Sequence, residues 1–429
     1  MKKIKIGVLG GYRGTGMINF CKFYDGAEVV AICDKSEEVL KRQEESCKGL
    51  GVTFYSDFDD FINHDMDAVV LANYANEHAP FAIRALNKGL HVFSEVLPCQ
   101  TMKEAVELIE TVEKSGKIYA YGENYCYMLA PYEMTKLYRQ NKIGEIEYAE
   151  CEYAHNCDKI WPSIAYGDPD HWRNNMYATF YCTHSLGPII HATGLRPVSV
   201  VGWEIQDHGR SEGHGAKHAG AGLEIVTLEN GAIVRSLHGG LYKSSKWYKI
   251  DGSKGRMESA REDTNLGDVD RIYINYDEKE RAYKTKKVET YIPEVDEKVK
   301  SFGHSGSDFF SMYHFVEKIK GNKDADIIDV YEAMDMFLPG LFAFRSILKG
   351  GIPMEIPNLR DKKERDKWRN DVACTDPKVA GDQLLPCRKG GNPKIDPAVY
   401  EEQKRLYYED LKSDTGYAHM AFNQSSVKK

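Results

Sequence analysis

Short apolar runs alternate with segments of helical character over residues 4–124. In chain order, the runs are KIGVLG, EVVAICD, MDAVVLAN, HVFSEV and KIYAYGEN. Residues 17–24 form the first helical segment, and the segment HAPFAIRALNKG ends in a glycine that can cap a helix. Because parallel strands need helical crossovers between them, this alternation predicts a right-handed, doubly wound parallel sheet.

The pattern changes after about Gly122, where the apolar runs become longer and are joined by turn residues. These runs are EIEYAECEYAH, GLEIVTLENGAIVRSLHGG and SKWYKIDGSKGRMES. The pair Asn230-Gly231 and the GSKG turn are strong hairpin signals. Further helices are predicted at APYEMTKLYRQNKIG and SDFFSMYHFVEKIKGN. We therefore expect a Rossmann domain at residues 1–122 and, at residues 123–357, an α/β domain with a large, open, mainly antiparallel sheet.

The chain becomes polar and is interrupted by prolines from about Pro357, so residues 358–429 are predicted to form a C-terminal extension. One more helix is expected there, because Asp396 can cap it and Pro397 suits its first position. Such an extension can embrace a neighbouring subunit or cover the active site. The exposed face of an open sheet would leave apolar positions in water, which predicts a homo-oligomer, either a dimer or a tetramer.

Composition and charge exclude several classes of partner. The 429 residues carry a formal net charge of −8, which argues against nucleic acid and anionic membranes as partners. No apolar run approaches the roughly 20 residues that span a bilayer, and the basic start of the chain leads into a strand pattern without an export signal. The ten cysteines are scattered without a C-x-x-C pair, as expected of free thiols in a reducing cytosol. These features favour a cytoplasmic protein.

A glycine-rich stretch, GGYRGTG, follows the first predicted strand and precedes the first helix. Glycines let a backbone approach a pyrophosphate, which the helix N-terminus then stabilises. Asp34 ends the second predicted strand, where a carboxylate can accept both ribose hydroxyls and favour NAD over NADP. The motif is imperfect, because Tyr12 and Thr15 stand where glycines are usual, and such a stretch also suits a plain tight turn. Arg13 can pair with a phosphate or be a solvated loop charge.

The chain resembles the glucose–fructose oxidoreductase, inositol dehydrogenase and rhizopine catabolism (Gfo/Idh/MocA) family over about residues 3–358. The segments that carry the resemblance are GVLGGYRGTG, ANYANEHAPFAIRALNKGLHVFSEV, YGEN, TGLRPVSV, GSKGRMES, GHSGSDFF and DVYEAMDMFLPG. Most dehydrogenases of the family have Glu-Lys-Pro where this chain has Glu95-Val96-Leu97, and an Asp four residues before a catalytic His, where this chain has Phe180 before His184.

Both departures are shared with one branch of the family, the NAD-dependent glycosidases of the α-N-acetylgalactosaminidase type. That branch has Glu-Val at the lysine site and a Tyr-Pro-Thr-His-x-Leu-Gly-Pro motif, which is similar to YCTHSLGP here, with Cys182 in place of the proline. The resemblance implies two sets of site residues. The cofactor set is Gly10, Gly11, Tyr12, Arg13, Gly14, Asp34, Asn73, His78, Glu95, Val96 and Asn124. The substrate set is Tyr153, Arg173, Tyr181, Thr183 and His184.

Oxidation of a secondary alcohol by NAD needs a base for the hydroxyl proton. A histidine titrates in the right range and a neighbouring tyrosine can relay or polarise, so His184 and Tyr181 are the candidate catalytic residues. The same two residues are also compatible with a buried His and Tyr at the start of a helix. Oxidation at C3 of a sugar acidifies the C2 proton, so a glycosidase can eliminate the C1 substituent, add water and recover the cofactor.

Three functions therefore stay open from the sequence. They are an NAD-dependent oxidoreductase acting on a secondary hydroxyl of a sugar or glycoside, a redox-neutral glycosidase, and a non-catalytic NAD(H)-binding sensor. No metal site is expected, although His208, His214 and His218 share a Gly-rich loop. GHSGSDFF can bring His304 and Asp308 towards the pocket, but Asp308 equally suits a helix N-terminus.

Overall fold

The computed structural model describes residues 2–262, 270–276 and 288–413. Its first sheet has six parallel strands: β1 (Ile4–Leu9), β2 (Ala27–Cys33), β3 (Thr53–Tyr55), β4 (Ala68–Leu71), β5 (His91–Ser94) and β6 (Tyr119–Tyr121). They pair in the order β3-β2-β1-β4-β5-β6, so the chain reverses direction across the sheet beside β1. This confirms the predicted doubly wound sheet and places a ligand crevice at the carboxyl ends of β1 and β4.

Five helices connect these strands: α1 (Thr15–Phe23), α2 (Glu37–Ser46), α3 (Phe58–Phe61), α4 (His78–Asn87) and α5 (Met102–Ser115). One face of the sheet is packed by α4 and α5 through buried small and aliphatic residues such as Ala82 and Leu108. The other face is packed by α1, whose Met17 and Phe20 are buried. Both faces of the sheet are thus covered, as the continuous apolar sequences of its central strands require.

The second sheet has nine strands: β7 (Ile146–Ala154), β8 (Pro197–Ile205), β9 (Ala221–Leu228), β10 (Ile233–Gly239), β11 (Ser245–Gly252), β12 (Gly255–Ser259), β13 (Ile272–Tyr276), β14 (Val288–Tyr291) and β15 (Met354–Glu355). Their order is β14-β13-β12-β11-β7-β10-β9-β8-β15. All neighbours are antiparallel except β10 and β7, which confirms a mainly antiparallel sheet. Asn230-Gly231 forms the predicted turn between β9 and β10, where Gly231 has φ +90° and the Asn230 side chain accepts the Ala232 N–H.

Helices of the second half are α6 (Leu129–Arg139), α7 (Trp161–Ala165), α8 (Cys182–Thr193), α9 (Glu297–Lys300), α10 (Ser307–Ile319) and α11 (Val330–Leu348). Helices α8 and α11 pack on the inner face of the second sheet. A Cβ at Gly202 on β8 would lie 2.4 Å from the Ala343 carbonyl oxygen, so glycine permits this close approach. Helix α10 instead returns to the first sheet, where Phe315 contacts Phe93 at a ring separation of 5.6 Å. The boundaries at residues 122 and 357 stay predictions.

After β15 the chain forms α12 (Lys362–Asp366), α13 (Pro377–Ala380) and α14 (Pro397–Lys412). The described part of the extension folds back over its own chain. The buried Arg365 guanidinium donates to both carboxylate oxygens of Glu113 on α5. Helix α14 begins at Pro397, with the Asp396 side chain accepting the Ala398 N–H at 2.9 Å, as predicted. It packs on α7, so the extension joins the two sheet-bearing halves.

The outer face of the second sheet carries both ion pairs and apolar side chains. Arg235 pairs with Glu150 at 3.2 Å, whereas Leu223 and Ile225 on β9 are half-buried apolar residues. The predicted homo-oligomer stays a prediction. All ten cysteines lie in the described ranges with free thiols, as expected. Within the same ranges, no helix combines the length and the apolar character that a membrane crossing requires.

Candidate active site

The glycine-rich loop lies where β1 ends beside β2 and β4. The Gly10 N–H donates to the Cys33 carbonyl at 2.8 Å, and Gly10 has φ +92°, a conformation that favours glycine. A Cβ at Gly10 would lie 2.4 Å from the Ala72 carbonyl oxygen, and one at Gly14 would lie 2.5 Å from the Gly10 carbonyl oxygen. The loop is therefore packed tightly against the strand ends and leads directly into α1.

Asp34 follows β2 and faces this loop. One carboxylate oxygen accepts the Gly11 N–H at 2.8 Å, and the other accepts the Ser36 N–H at 2.8 Å. Burial raises the pKa of Asp34, while the N–H groups of Ser36, Gly11 and Tyr12 lower it. A carboxylate has about four lone-pair sites, so acceptor capacity remains beside these N–H groups. Ribose hydroxyls fit this carboxylate, whereas a ribose phosphate would meet a like charge.

The end of β4 supplies the other side of the crevice. The Oδ1 atom of Asn73 is buried and has no hydrogen-bond partner among the described residues, so an acceptor is left for a bound group. His78 is fully buried, with Nδ1 2.8 Å from the Leu97 carbonyl oxygen and Nε2 3.3 Å from the Asn73 carbonyl oxygen. Burial lowers its pKa to about 4. His78 thus joins the strand ends that flank the crevice, and a direct contact with the cofactor stays a prediction.

Arg13 leaves the glycine-rich loop and crosses to the second half of the chain. Its guanidinium donates to Glu95 at 2.7 Å and to the two oxygens of Asp308 at 3.0 and 3.1 Å. Asn124 donates to the same Asp308 at 3.1 Å. Burial raises the pKa of Glu95. Burial alone would also raise the pKa of Asp308, but the charges of Arg13 and His304 hold it well below its usual range. The predicted cofactor residues Arg13, Glu95 and Asn124 therefore meet around one carboxylate, beside the half-buried Val96.

His184 lies in the first turn of α8 with one ring nitrogen fixed. Its Nδ1 is 2.7 Å from Oε1 of the fully buried Glu123. When Nδ1 carries the proton and donates it to Glu123, Nε2 is left as the basic nitrogen. Glu123 thus supplies from another part of the chain the carboxylate that Phe180 does not provide. It was missed as a site residue, although it stands in YGEN immediately before Asn124.

Three tyrosines surround the His184 ring. Tyr181 stacks on it with centroids 5.3 Å apart and planes at 14°, and Tyr125 and Tyr153 lie at 4.5 and 4.7 Å. Burial raises the pKa of the Tyr181 hydroxyl, and the Arg173 guanidinium opposes that shift. The Tyr181 hydroxyl is therefore a proton-bearing group beside His184. Tyr125 was also missed, since an aromatic residue after a strand carries no distinctive signal.

The predicted substrate residues have different exposures. The Arg173 guanidinium lies 5.5 Å from the Tyr181 ring centroid, so the two residues share one edge of the site. The Tyr153 hydroxyl is 2.9 Å from Nδ1 of His155. Thr183 is fully buried in the first turn of α8, and its hydroxyl has no partner among the described residues. Tyr153 and Tyr181 thus contact the His184 ring, Arg173 lies beside Tyr181, and Thr183 is buried next to His184 in the chain.

The remaining histidines of the sequence motifs separate into two places. In the Gly-rich loop, His214 lies 3.5 Å from Asp158, and Nδ1 of His218 lies 2.7 Å from the Ala219 carbonyl oxygen. Across the described ranges, no cluster of three His, Cys, Asp or Glu side chains is arranged to hold a metal ion. His304 is elsewhere, beside Tyr125 and Asp308.

Comparison with known protein families gives two matches. Residues 4–123 match the Gfo/Idh/MocA model, described as an oxidoreductase family NAD-binding Rossmann fold. Residues 242–369 match the model of the glycosyl hydrolase 109 C-terminal domain. Residues 4–123 thus match a Gfo/Idh/MocA NAD-binding domain. The first match confirms the predicted NAD cofactor, and the second agrees with the glycosidase branch that the sequence resembles.

The chain is also similar to curated relatives and to solved structures over most of its length. The glycosyl hydrolase family 109 protein of Solibacter usitatus is 25% identical over 408 residues, covering 85% of this chain and 89% of that protein. An Agrobacterium radiobacter oxidoreductase in complex with NAD+, L-tartaric acid and magnesium has a TM-score of 0.66 at 13% identity, covering 83% and 99%. Scyllo-inositol dehydrogenase from Lactobacillus casei, with bound NAD(H) and scyllo-inositol, has a TM-score of 0.63 at 18% identity. That match covers 83% of this chain and 99% of the dehydrogenase. These two structures show the shared fold.

The two matched segments hold different parts of the site. The glycine-rich loop, Asp34, Glu95 and Glu123 lie in the first segment, and the His304–Asp308 pair lies in the second. His184 lies between them, on α8. The site is therefore assembled from both halves of the chain, with the Arg13–Asp308 ion pair across their junction.

Proposed function

We propose that the protein is a redox-neutral glycoside hydrolase, in which bound NAD serves the transient oxidation of a secondary hydroxyl at C3 of a glycoside. The observation that carries this proposal is the His184–Glu123 pair, whose imidazole is surrounded by three tyrosines. These tyrosines, which we call the aromatic cage, are Tyr125, Tyr153 and Tyr181. A buried carboxylate on Nδ1 makes Nε2 the proton acceptor, which is what the oxidation of an alcohol requires of a protein.

NAD fits the residues that line the crevice at the carboxyl ends of β1 and β4. Asp34 would hold the adenosine ribose, the loop at Gly10–Gly14 would face the pyrophosphate, and the free Asn73 acceptor would bind a donor of the cofactor. When bound, NAD supplies the hydride acceptor and donor. The chain's own part is to take the hydroxyl proton on Nε2 of His184 and later return it there.

The substrate would lie against the aromatic cage. Tyr181 presents a proton-bearing hydroxyl, Arg173 a cation and Tyr153 an apolar ring, which together suit a polar ring with one apolar face. The His184 side chain is largely covered, with 10% of its surface exposed. Thr183, buried in the first turn of α8, would support the position of His184 from within.

Two observations favour hydrolysis through bound NAD, the first over a cofactor-free glycosidase and the second over net oxidation. Glycosidases that use no cofactor need a pair of available carboxylates at the scissile bond, yet the three carboxylates here are engaged: Glu123 by His184, and Glu95 and Asp308 by Arg13. Residues 242–369 also match the glycosyl hydrolase 109 C-terminal domain. With a ketone at C3, the C2 proton becomes acidic and the C1 substituent leaves by elimination, without a carboxylate pair.

Net dehydrogenation of a sugar or glycoside is the second candidate. It is favoured by the oxidoreductase match over residues 4–123, and it uses the same His184 step. The two candidates differ only in whether the reduced cofactor leaves before the C1 bond breaks.

The test is to incubate the purified protein, without added cofactor, with a panel of nitrophenyl α- and β-glycosides. Nitrophenol and the near-ultraviolet band of reduced nicotinamide are followed together. We expect catalytic nitrophenol release with no growing nicotinamide band, and loss of that release in His184→Asn but not in His208→Asn, an exposed control. A nicotinamide band that grows only with added NAD, without release, would establish the dehydrogenase. If NAD is bound but neither nitrophenol nor reduced nicotinamide forms, the result would support the non-catalytic sensor and contradict both the hydrolase and the dehydrogenase.

A further inference from the structure

A second histidine–carboxylate pair lies beside Tyr125, as the His184–Glu123 pair does. Nδ1 of His304 is 3.2 Å from each carboxylate oxygen of Asp308. The Tyr125 ring centroid is 4.5 Å from the His184 ring and 6.5 Å from the His304 ring. Two imidazoles, each with its Nδ1 held by a buried carboxylate, therefore lie beside one aromatic ring.

Both imidazoles lie near a third histidine, His155. Burial and the positive charge of Arg173 lower the pKa of His155 to about 4, and His184 and His304 act on it in the same direction. His155 in turn contacts the Tyr153 hydroxyl, which lies in the cage around His184. The side chain of His304 is 41% exposed, against 2% for Asp308. The His304 imidazole is thus accessible, whereas the Asp308 carboxylate that holds it is buried.

The backbone holds His304 in an unusual conformation. His304 and Ser305 have φ values of 54° and 58°, and Gly306 has 94°, so three consecutive residues are left-handed. Such a conformation costs of order 1 kcal/mol or more for each residue that is not glycine, and it clusters at functional sites. Asp308 is itself held in place, because its carboxylate also accepts hydrogen bonds from Arg13 and Asn124.

Elimination from a 3-keto glycoside needs a base of its own. The proton of the oxidised hydroxyl already resides on His184, and the C–H bond at C2 must lose a second proton. We propose that His304 is this second base, an inference that rests on the proposed hydrolase. Nε2 of His304 takes the C2 proton, the C–H electron pair forms the C1–C2 double bond, and the C1–O pair leaves with the aglycone. Addition of water reverses these steps, and His304 returns a proton to C2.

The test compares two asparagine variants at matched backbone positions. His304→Asn and His208→Asn both replace a left-handed histidine, at φ 54° and 57°, and asparagine tolerates that conformation. At position 304 the amide can still donate to Asp308, but it cannot accept a proton. His208 is exposed in the Gly-rich loop. The NAD-loaded proteins are mixed with a nitrophenyl glycoside that the wild type hydrolyses, in deuterated water.

We expect the wild type and His208→Asn to release nitrophenol and to give a product sugar with deuterium at C2. His304→Asn should lose release and C2 deuterium together, by about 100-fold or more, while one equivalent of reduced nicotinamide still forms on mixing. Wild-type-like exchange in His304→Asn would overturn the inference. Loss of the nicotinamide signal as well would assign His304 to cofactor or substrate binding and also overturn it. If the wild type hydrolyses none of the glycosides, the proposed function fails first, which is a distinct result.

Discussion

Oε1 of Glu123 lies 2.7 Å from Nδ1 of His184, although the two residues are 61 positions apart in the chain. Glu123 follows the last strand of the first sheet, and His184 opens a helix that packs on the second sheet. The contact therefore fixes the candidate base relative to the cofactor crevice. It also selects the imidazole tautomer with a free Nε2.

Replacing Glu123 by Gln tests this role. The amide of Gln can donate to Nδ1, which moves the imidazole proton to Nε2 and removes the base. We expect kcat to fall by about 100- to 10,000-fold with little change in KM. Steady-state nitrophenol release measures it, with Glu147→Gln, at an exposed position on β7, as the control. A change in KM alone would mean that Glu123 serves binding instead.

Asp34 should set the preference between NAD and NADP. Asp34→Asn removes the charge that would repel a ribose phosphate and weakens the bonds to the ribose hydroxyls. We expect NAD affinity to fall by about 10- to 100-fold. We also expect the ratio of NAD affinity to NADP affinity to decrease. Calorimetric titration of cofactor-free protein measures both, with the exposed Asp25→Asn as the control. Unchanged NAD affinity would show that Asp34 only shapes the loop.

His191 should make stability depend on pH in the alkaline range. It is fully buried, with Glu332 at 2.7 Å and Asp326 at 3.2 Å. Burial alone would lower its pKa, but the two carboxylates raise it to about 9. The folded state therefore binds this proton more tightly than the unfolded state. The stabilisation of the fold by protonated His191 is complete below pH about 6.5 and is lost as pH rises to about 9.

Denaturant unfolding of the wild type at several pH values measures this effect. We expect the free energy of unfolding to fall by about 1–3 kcal/mol between pH 6.5 and 9 from this group. His191→Gln should be less stable at pH 6.5 and show a flatter profile over that range. The same slope in the variant would assign the alkaline loss to other groups.

Arg13 should couple the two halves of the chain. Arg13→Met leaves the buried carboxylates of Glu95 and Asp308 without their guanidinium, so we expect a loss of about 2–4 kcal/mol in the free energy of unfolding. The loss should shrink at acidic pH, where Asp308 can take up a proton in the variant. Adding Asp308→Asn should recover part of the stability. A double variant no more stable than the single one would mean that Arg13 acts independently of Asp308.

The sequence predicted the features that rest on local patterns. Strand–helix alternation gave the first sheet, Asp34 was placed at the end of β2, and Asn230-Gly231 formed the predicted hairpin turn. Each of these follows from residues within one or two elements.

The contacts that complete the site are long-range and had no local signature. Arg13 meets Asp308 across 295 positions because α10 returns to the first sheet. Glu123 could be paired with His184 only once β6 and α8 were packed together. The parallel pairing of β10 with β7 likewise depends on tertiary packing, since hairpin signals specify only antiparallel neighbours.

The most direct test of oxidation and return at C3 uses a nitrophenyl glycoside with deuterium at C3. The redox-neutral account predicts a primary kinetic isotope effect on nitrophenol release and a product sugar that still carries the deuterium at C3. Release with neither an isotope effect nor a transient band of reduced nicotinamide on mixing would contradict it, because the C3–H bond would then not be broken in the reaction. Loss of the label to reduced cofactor in solution would show a net dehydrogenase instead.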